Sequence, residues 1–237
     1  MRSRLLVLTL LVTACTPSPD VHTVQRGSGD SDPFIDSVRV RRARELGRRP
    51  DTLGTRVDSS RILGSPTAKV WLIMVSEFQC AACRTVATEI LPAIKREYVD
   101  PGKVRVAFMH WPDEKHFNSR FASHAALCAG ASGHFWEMHD SLFATLPTWE
   151  RLPDPQPFMD SLAVSVGAES KAQSVCTARQ RMSNLIEEDR VRSQQSGATV
   201  RPTLFVGQEK LDGENLTLWS VRRALDAAIA RGAGSAP

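Results

Sequence analysis

Short apolar runs and longer amphipathic stretches follow one another along this chain in an order that predicts a mixed α/β domain. Val70-Trp71-Leu72-Ile73-Met74-Val75 is continuous, bulky and partly β-branched, the pattern of a strand buried on both faces. Val86, Ile90, Ile94 and Tyr98 then recur at fourfold spacing and mark one helical stripe. A turn at Pro101-Gly102 leads into a second strand, where Val104, Val106 and Phe108 alternate with other residues up to about Pro112. From about Phe117 to Gln195 the pattern is helical. Phe121, Ala125 and Cys128 share one helix, Phe135 to Leu142 make another, and two more follow Pro157 and Gly167. Thr203-Leu204-Phe205-Val206 reads as a strand, Gly207 as a turn and Lys210-Leu211 as a short strand. Leu218, Val221, Leu225 and Ile229 form the buried stripe of a final helix.

The beginning of the chain follows different rules. Arg2 and Arg4 precede the apolar run Leu5 to Val12, and Thr13-Ala14-Cys15 follows, which describes an export signal too short to span a bilayer. Val12-Thr13-Ala14-Cys15 resembles the lipobox of bacterial lipoproteins, and that resemblance implies a signal peptide over 1–15 with Cys15 as the lipidated first mature residue. Several acyl chains on one residue supply stable anchoring where one does not. Residues 16–60 are rich in Pro, Gly, Ser, Asp and Arg with little apolar periodicity. They read as a flexible tether containing a short basic helix near Ile35 to Leu46. A globular domain is expected over 61–230, with a helical insert at about 115–197 and a disordered tail at 231–237.

Composition narrows the choice only a little. With 237 residues, 42% of them hydrophobic, the chain can bury one sizeable core. The net charge of +4 is mild, and much of the excess lies in the six arginines between Arg39 and Arg49. That stretch carries no interleaved aromatics, so it reads as a solvated or membrane-surface segment, and no nucleic-acid partner is expected.

Cysteine placement carries the chemistry. Cys80-Ala81-Ala82-Cys83 stands where the first strand gives way to a helix, so unpaired N–H groups and the helix dipole favour a thiolate at Cys80. Setting Cys15 aside leaves Cys80, Cys83, Cys128 and Cys176, for which three pairings exist. The spacing argues for Cys80 with Cys83, which leaves Cys128 with Cys176 as a structural bridge. Free thiols, a second redox relay or a four-cysteine zinc site are the other readings of that second pair.

Further motifs appear in a telling order: Ile62-Leu63-Gly64-Ser65-Pro66, Glu77-Phe78-Gln79-Cys80-Ala81-Ala82-Cys83-Arg84, Leu91-Pro92, Gly102-Lys103-Val104, Cys128-Ala129, Gly133 to Asp140, and Arg201-Pro202-Thr203-Leu204-Phe205. Over roughly residues 61 to 230 the chain resembles the DsbA-like branch of the thioredoxin superfamily. The resemblance implies a thioredoxin fold with an inserted α-helical subdomain and thiol–disulfide exchange outside the cytoplasm. Cys80 is then the exposed nucleophile and Cys83 the buried resolving cysteine. Pro202 is the cis-proline of the loop Arg201-Pro202-Thr203, which holds an extended client segment. No metal or organic cofactor is implied. The implied partners are exported protein thiols and disulfides, a membrane redox partner, and the bilayer through Cys15 on the periplasmic side of a bacterial membrane.

Three positions depart from the family pattern. Ala81-Ala82 offers no charge to the thiolate. Met74 stands where many members place a buried acid six residues before the first cysteine, which turns attention to water or Glu77. Arg201 replaces a small or β-branched residue before the proline, and a guanidinium near the sulfurs would favour the thiolate. His110, ending the second strand on the active-site side, is a candidate for tuning the thiols. His116 reads as a helix cap, His134 and His139 as packing or surface residues, and Trp71 and Trp136 as core. A monomer is expected, since no dimerisation segment precedes residue 61. The readings weighed against a disulfide oxidoreductase are an electron donor for metallocentre or cytochrome assembly and a non-catalytic binding module. The direction of electron flow stays open.

Overall fold

The computed structural model describes residues 52–232. Cys15, the signal peptide, residues 16–51 of the expected tether and the tail from 233 lie outside them. Strand β2 runs over Val70–Ser76 and is buried along its whole length, because cores lie on both faces. Leu72 and Met74 point into the main core with Val104, Val106, Phe108, Leu204 and Val206. Trp71, Ile73 and Val75 alternate into a smaller core with Ala107, Met109 and Phe205.

Three further strands, and a two-residue one, complete a mixed sheet around β2. Strand β3 (Val104–His110) runs parallel to it, from Val70 opposite Val104 to Ser76 opposite His110. On the other side β4 (Thr203–Val206) is antiparallel, with Thr203 opposite Val75, and β5 (Glu209–Asp212) pairs with β4. The short strand β1 (Ile62–Leu63), which the sequence pattern did not separate, pairs antiparallel with β3. The order across the sheet is β1-β3-β2-β4-β5. Gly64, which ends β1, has φ +99°, and a Cβ there would stand 2.5 Å from the Val104 carbonyl oxygen. Only glycine lets β1 lie so close.

The alternation in β3 does not mark a solvent face. All seven residues are buried, and Arg105, on the second side, lays its guanidinium 4.0 Å from the ring centroid of Trp71. Helix α1 (Thr52–Ser60) corrects the boundary expected at 61. Val57 is fully buried and Asp58 nearly so, which makes the last turns of the supposed tether part of the packed body.

The long helical run α2 follows β2. It passes from Ala81–Thr85 through a π-helical turn at Val86–Ile90, then Leu91–Ile94 and a second π-helical turn at Lys95–Val99. Pro92 lacks an amide N–H, and the ladder changes register around it. Val86, Ile90, Ile94 and Tyr98 are buried, as their spacing predicts. Between β3 and β4 lie α3 (Ser119–Gly130), α4 (Phe135–Ala144), α5 (Leu146–Trp149), α6 (Gln156–Ser165), α7 (Ser170–Ala178) and α8 (Ser183–Gln195). The final helix α9 (Leu218–Ala230) starts in a Thr217/Ser220 capping box and packs on β2 and β4.

Cys128 of α3 and Cys176 of α7 are bonded at 2.06 Å, 48 residues apart in sequence. Closing a loop of that length is worth about 4 kcal/mol in the chain-entropy view. The bond also removes the free-thiol and zinc readings of this pair. Among the described residues no helix is long and apolar enough to cross a membrane.

Candidate active site

The register of the sheet brings the expected residues together. β2 ends at Ser76, and the chain turns through Glu77, Phe78 and Gln79 to Cys80, which caps α2 with extended backbone at φ −81°, ψ 120°. Thr203, opposite Val75, starts β4 just after the cis Arg201-Pro202 bond, so that loop lies beside the same end of β2. Thr203 is buried and its Oγ1 donates to the Val200 carbonyl at 2.8 Å, closing the loop on itself.

The two sulfurs are inequivalent. Cys80 is half-buried and Cys83 fully buried, and both are free thiols. Cys80 Sγ accepts the Cys83 N–H at 3.1 Å and donates to the Arg201 carbonyl at 3.8 Å. The Cys83 side chain and the backbone N–H groups of Cys83 and Ala82 pull the Cys80 thiol down to about 7, against burial and the charge of Glu77. Burial, reinforced by Cys80, pushes the Cys83 thiol well up. Ala81 and Ala82 are exposed, so the approach to Cys80 is open. Such a pair can form a mixed disulfide at the outer sulfur and release it by attack of the inner one.

Arg201 contributes differently from the expectation. Its guanidinium lies 4.6 Å from the Trp111 ring centroid and is ion-paired with Asp113. Its backbone carbonyl, not its charge, faces Cys80. His110 also departs from its expected role. Its ring is fully buried among Phe78, Phe108 and Phe135, and neither nitrogen has a hydrogen-bond partner among the described residues. Burial, then Arg61 and the neighbouring histidines, hold it well below the usual histidine range, so it is neutral and makes no hydrogen bond to either thiol. Met74 is core.

Glu77 is beside the site, and it organises residues that sequence reasoning missed. His116 does not cap a helix but faces the Glu77 carboxylate, as does Ser119 of α3. Gln79 locks the helical insert onto the loop: its Nε2 donates to the Glu150 carbonyl at 2.8 Å, and its Oε1 accepts the Asn118 N–H at 2.7 Å. Asn118 in turn donates from Nδ2 to the Trp149 and Leu152 carbonyls, each at 2.9 Å. These partners are separated by 31 to 71 residues, and no local pattern links them. Phe117, adjoining Asn118, is 72% exposed and Val200 46%, leaving apolar surface on both loops.

A cysteine pair at the head of a helix, one sulfur open and one sealed, facing a cis-proline loop across a mixed sheet, defines a thioredoxin-fold dithiol centre. The thioredoxin family model matches residues 56–227, and the chain belongs to the thioredoxin family. The probable disulfide bond formation protein D of Bacillus cereus is 33% identical over 82 residues, 34% of this chain and 38% of that protein. The disulfide bond formation protein D of Bacillus subtilis is 22% identical over 156 residues, 62% of this chain and 68% of that protein. Among solved structures, oxidised BdbD from Bacillus subtilis superposes with a TM-score of 0.65 at 20% identity, covering 72% of this chain and 92% of that one. That likeness is one of fold, and the DsbA structures from Wolbachia pipientis and Chlamydia trachomatis share it.

Proposed function

We propose that this protein is a thiol:disulfide oxidoreductase that exchanges disulfides with exported proteins through Cys80 and Cys83. The observation that carries the reading is the inequality of the two sulfurs, an open acidic Cys80 and a sealed Cys83 of raised pKa. A client thiolate attacks Cys80 of the oxidised pair, the Cys80–Cys83 bond breaks, and Cys83 leaves with the electron pair and takes up a proton. A second client thiolate then displaces Cys80 from the mixed disulfide, which leaves an oxidised client and the dithiol for reoxidation by a membrane partner. The Arg201-Pro202-Thr203 loop offers backbone to an extended client segment, flanked by the apolar Phe117 and Val200. The bonded Cys128–Cys176 pair fits an oxidising compartment outside the cytoplasm, and the lipobox at Cys15 supports tethering to the membrane there.

Two outcomes test this. In the native compartment, Cys83→Ala accumulates covalent client adducts that dithiothreitol releases, and Cys80→Ala forms none. The adducts sediment with membranes, and Cys15→Ser moves them to the soluble fraction. A Cys83→Ala protein that captures nothing in its own compartment overturns the enzymatic reading. The acidity of Cys80 also bears on direction. An attacking cysteine near 7 matches thioredoxin, whereas that of DsbA lies near 3.5 and stabilises its reduced form more strongly. Equilibration with glutathione decides it: a potential near about −270 mV makes the protein a reductant of its clients, and one near about −120 mV an oxidant. A measured value at the upper end shows that something other than Cys80 acidity sets the couple.

A further inference from the structure

Glu77, three residues ahead of Cys80, is fully buried, and the helical insert reaches in to hold it. His116 Nδ1 meets its Oε1 at 2.5 Å. Its Oε2 accepts from Ser119 Oγ, and from the Gln79 N–H at 3.1 Å. A carboxylate with fixed donors on both oxygens keeps one position in a low dielectric, where its charge acts strongly on neighbours. Of the two side chains that hold it, Ser119 is buried and His116 is 38% exposed, so His116 is where solvent reaches this group. The nearby Asp113 is already paired with Arg201 and accepts the Lys115 N–H, and it takes only the backbone N–H of His116 through its own carbonyl. The His116 ring therefore hydrogen-bonds Glu77, although Asp113 also lies within its electrostatic reach.

We propose that His116 is a positioning residue for disulfide exchange: by holding Glu77 Oε1 it draws the carboxylate's charge away from Cys80 Sγ and so sets how readily that sulfur ionises. This role rests on the proposed function, in which Cys80 is the sulfur that exchanges with clients. The Glu77 charge opposes the Cys80 thiolate, and a donor on Oε1 offsets part of that opposition. With Ser119 and Gln79 still bound to Oε2, loss of His116 leaves the carboxylate charge less compensated.

The test is the pH profile of Cys80 alkylation by iodoacetamide in the reduced full chain, with the labelled residue identified by mass spectrometry. His116→Ala is expected to raise the midpoint and slow alkylation at pH 6 by about three- to tenfold, equivalent to half to one pH unit. Glu77→Gln is expected to lower the midpoint. In the Glu77→Gln background, His116→Ala changes the rate by less than about twofold, because the route of action is gone. His116→Gln, which keeps a donor, restores much of the original profile. If Glu77→Gln does not fold, Ser119→Ala removes a donor from the same carboxylate and is expected to shift the midpoint upward as His116→Ala does. The proposal is overturned if His116→Ala leaves the profile in place, or shifts it equally with and without the Glu77→Gln change. Alkylation needs no client, so a protein inactive in exchange but showing this coupling defeats the proposed function and not the role of His116.

Discussion

Cys80→Ser is expected to lower the rate of exchange with a disulfide client by roughly 10³ or more, to the level of small thiols in solution. A hydroxyl neither ionises near neutral pH nor forms the sulfur–sulfur bond on which each half-reaction depends. At pH 7 a thiol with a midpoint of about 7 is half ionised, against about 1% for one left at 9.0. Lower basicity gives back part of that fiftyfold advantage, since nucleophilicity falls with pKa at a slope of about 0.4–0.5, and a net gain of about fivefold remains. The same acidity makes Cys80 a better leaving group when Cys83 or a client displaces it. The sign follows from the lowered midpoint: exchange by the native protein rises with pH up to about 7 and then flattens. Stability is a built-in control. Serine is a favourable helix cap and can accept the Cys83 N–H as Cys80 does, so the urea midpoint stays close to that of the parent. Reduction of insulin, or oxidation of a reduced client, measures the rate. If the serine variant retained a tenth of the activity, another thiol would be responsible and the site would have to move.

What could be read from the chain and what could not divide by physical range. The run Val70 to Val75 announced a doubly buried strand because every residue in it contributes to a core, three on each side. Cys80 and Cys83 were legible because strand, cap and helix are adjacent in sequence, and so the cap geometry is local. The Arg201-Pro202 loop was legible through its resemblance to a known family, but the direction of the Arg201 side chain was not. That depends on Trp111 and Asp113, about ninety residues earlier. The partnership of Glu77 with His116 and Ser119 was hidden for the same reason, and His116 alone carries no mark that separates a cap from a carboxylate partner. Helix α1 was missed because its part of the chain is polar. Leu53 and Val57 are its two apolar residues, too few to show a period, and what ties the following residues down is an ion pair spanning 128 positions.

That ion pair is the basis of the second large effect. Arg61, 3% exposed, sends Nη2 to Asp58 Oδ1 at 2.7 Å and Nη1 to the Phe108 carbonyl at 3.1 Å and to Asp189 Oδ2. Asp189, fully buried on α8, also accepts the His110 N–H at 3.0 Å through Oδ2. One guanidinium thus joins α1, β3 and α8. Burial alone would weaken its proton affinity, but Asp189 and Asp58 more than offset this and keep it charged. Arg61→Ala leaves Asp189, whose pKa burial already raises, facing a cavity with no counter-charge, which costs about 3–5 kcal/mol. Against a typical total of about 5–15 kcal/mol, that is enough to leave a marginal domain partly unfolded. Urea unfolding is expected to show a lower midpoint with an unchanged slope. Removing all three charges while keeping an acceptor for the His110 N–H, as in Arg61→Met with Asp58→Asn and Asp189→Asn, is expected to recover at least half of the loss. A buried pair is far more costly to break than to replace. None of the groups that set the acidity of Cys80 belongs to this cluster, so whatever Arg61→Ala protein remains folded should alkylate at Cys80 with the parent's pH profile. A cost below about 1 kcal/mol would mean that water reaches Asp189, and a shifted Cys80 profile would mean that the cluster and the dithiol are coupled.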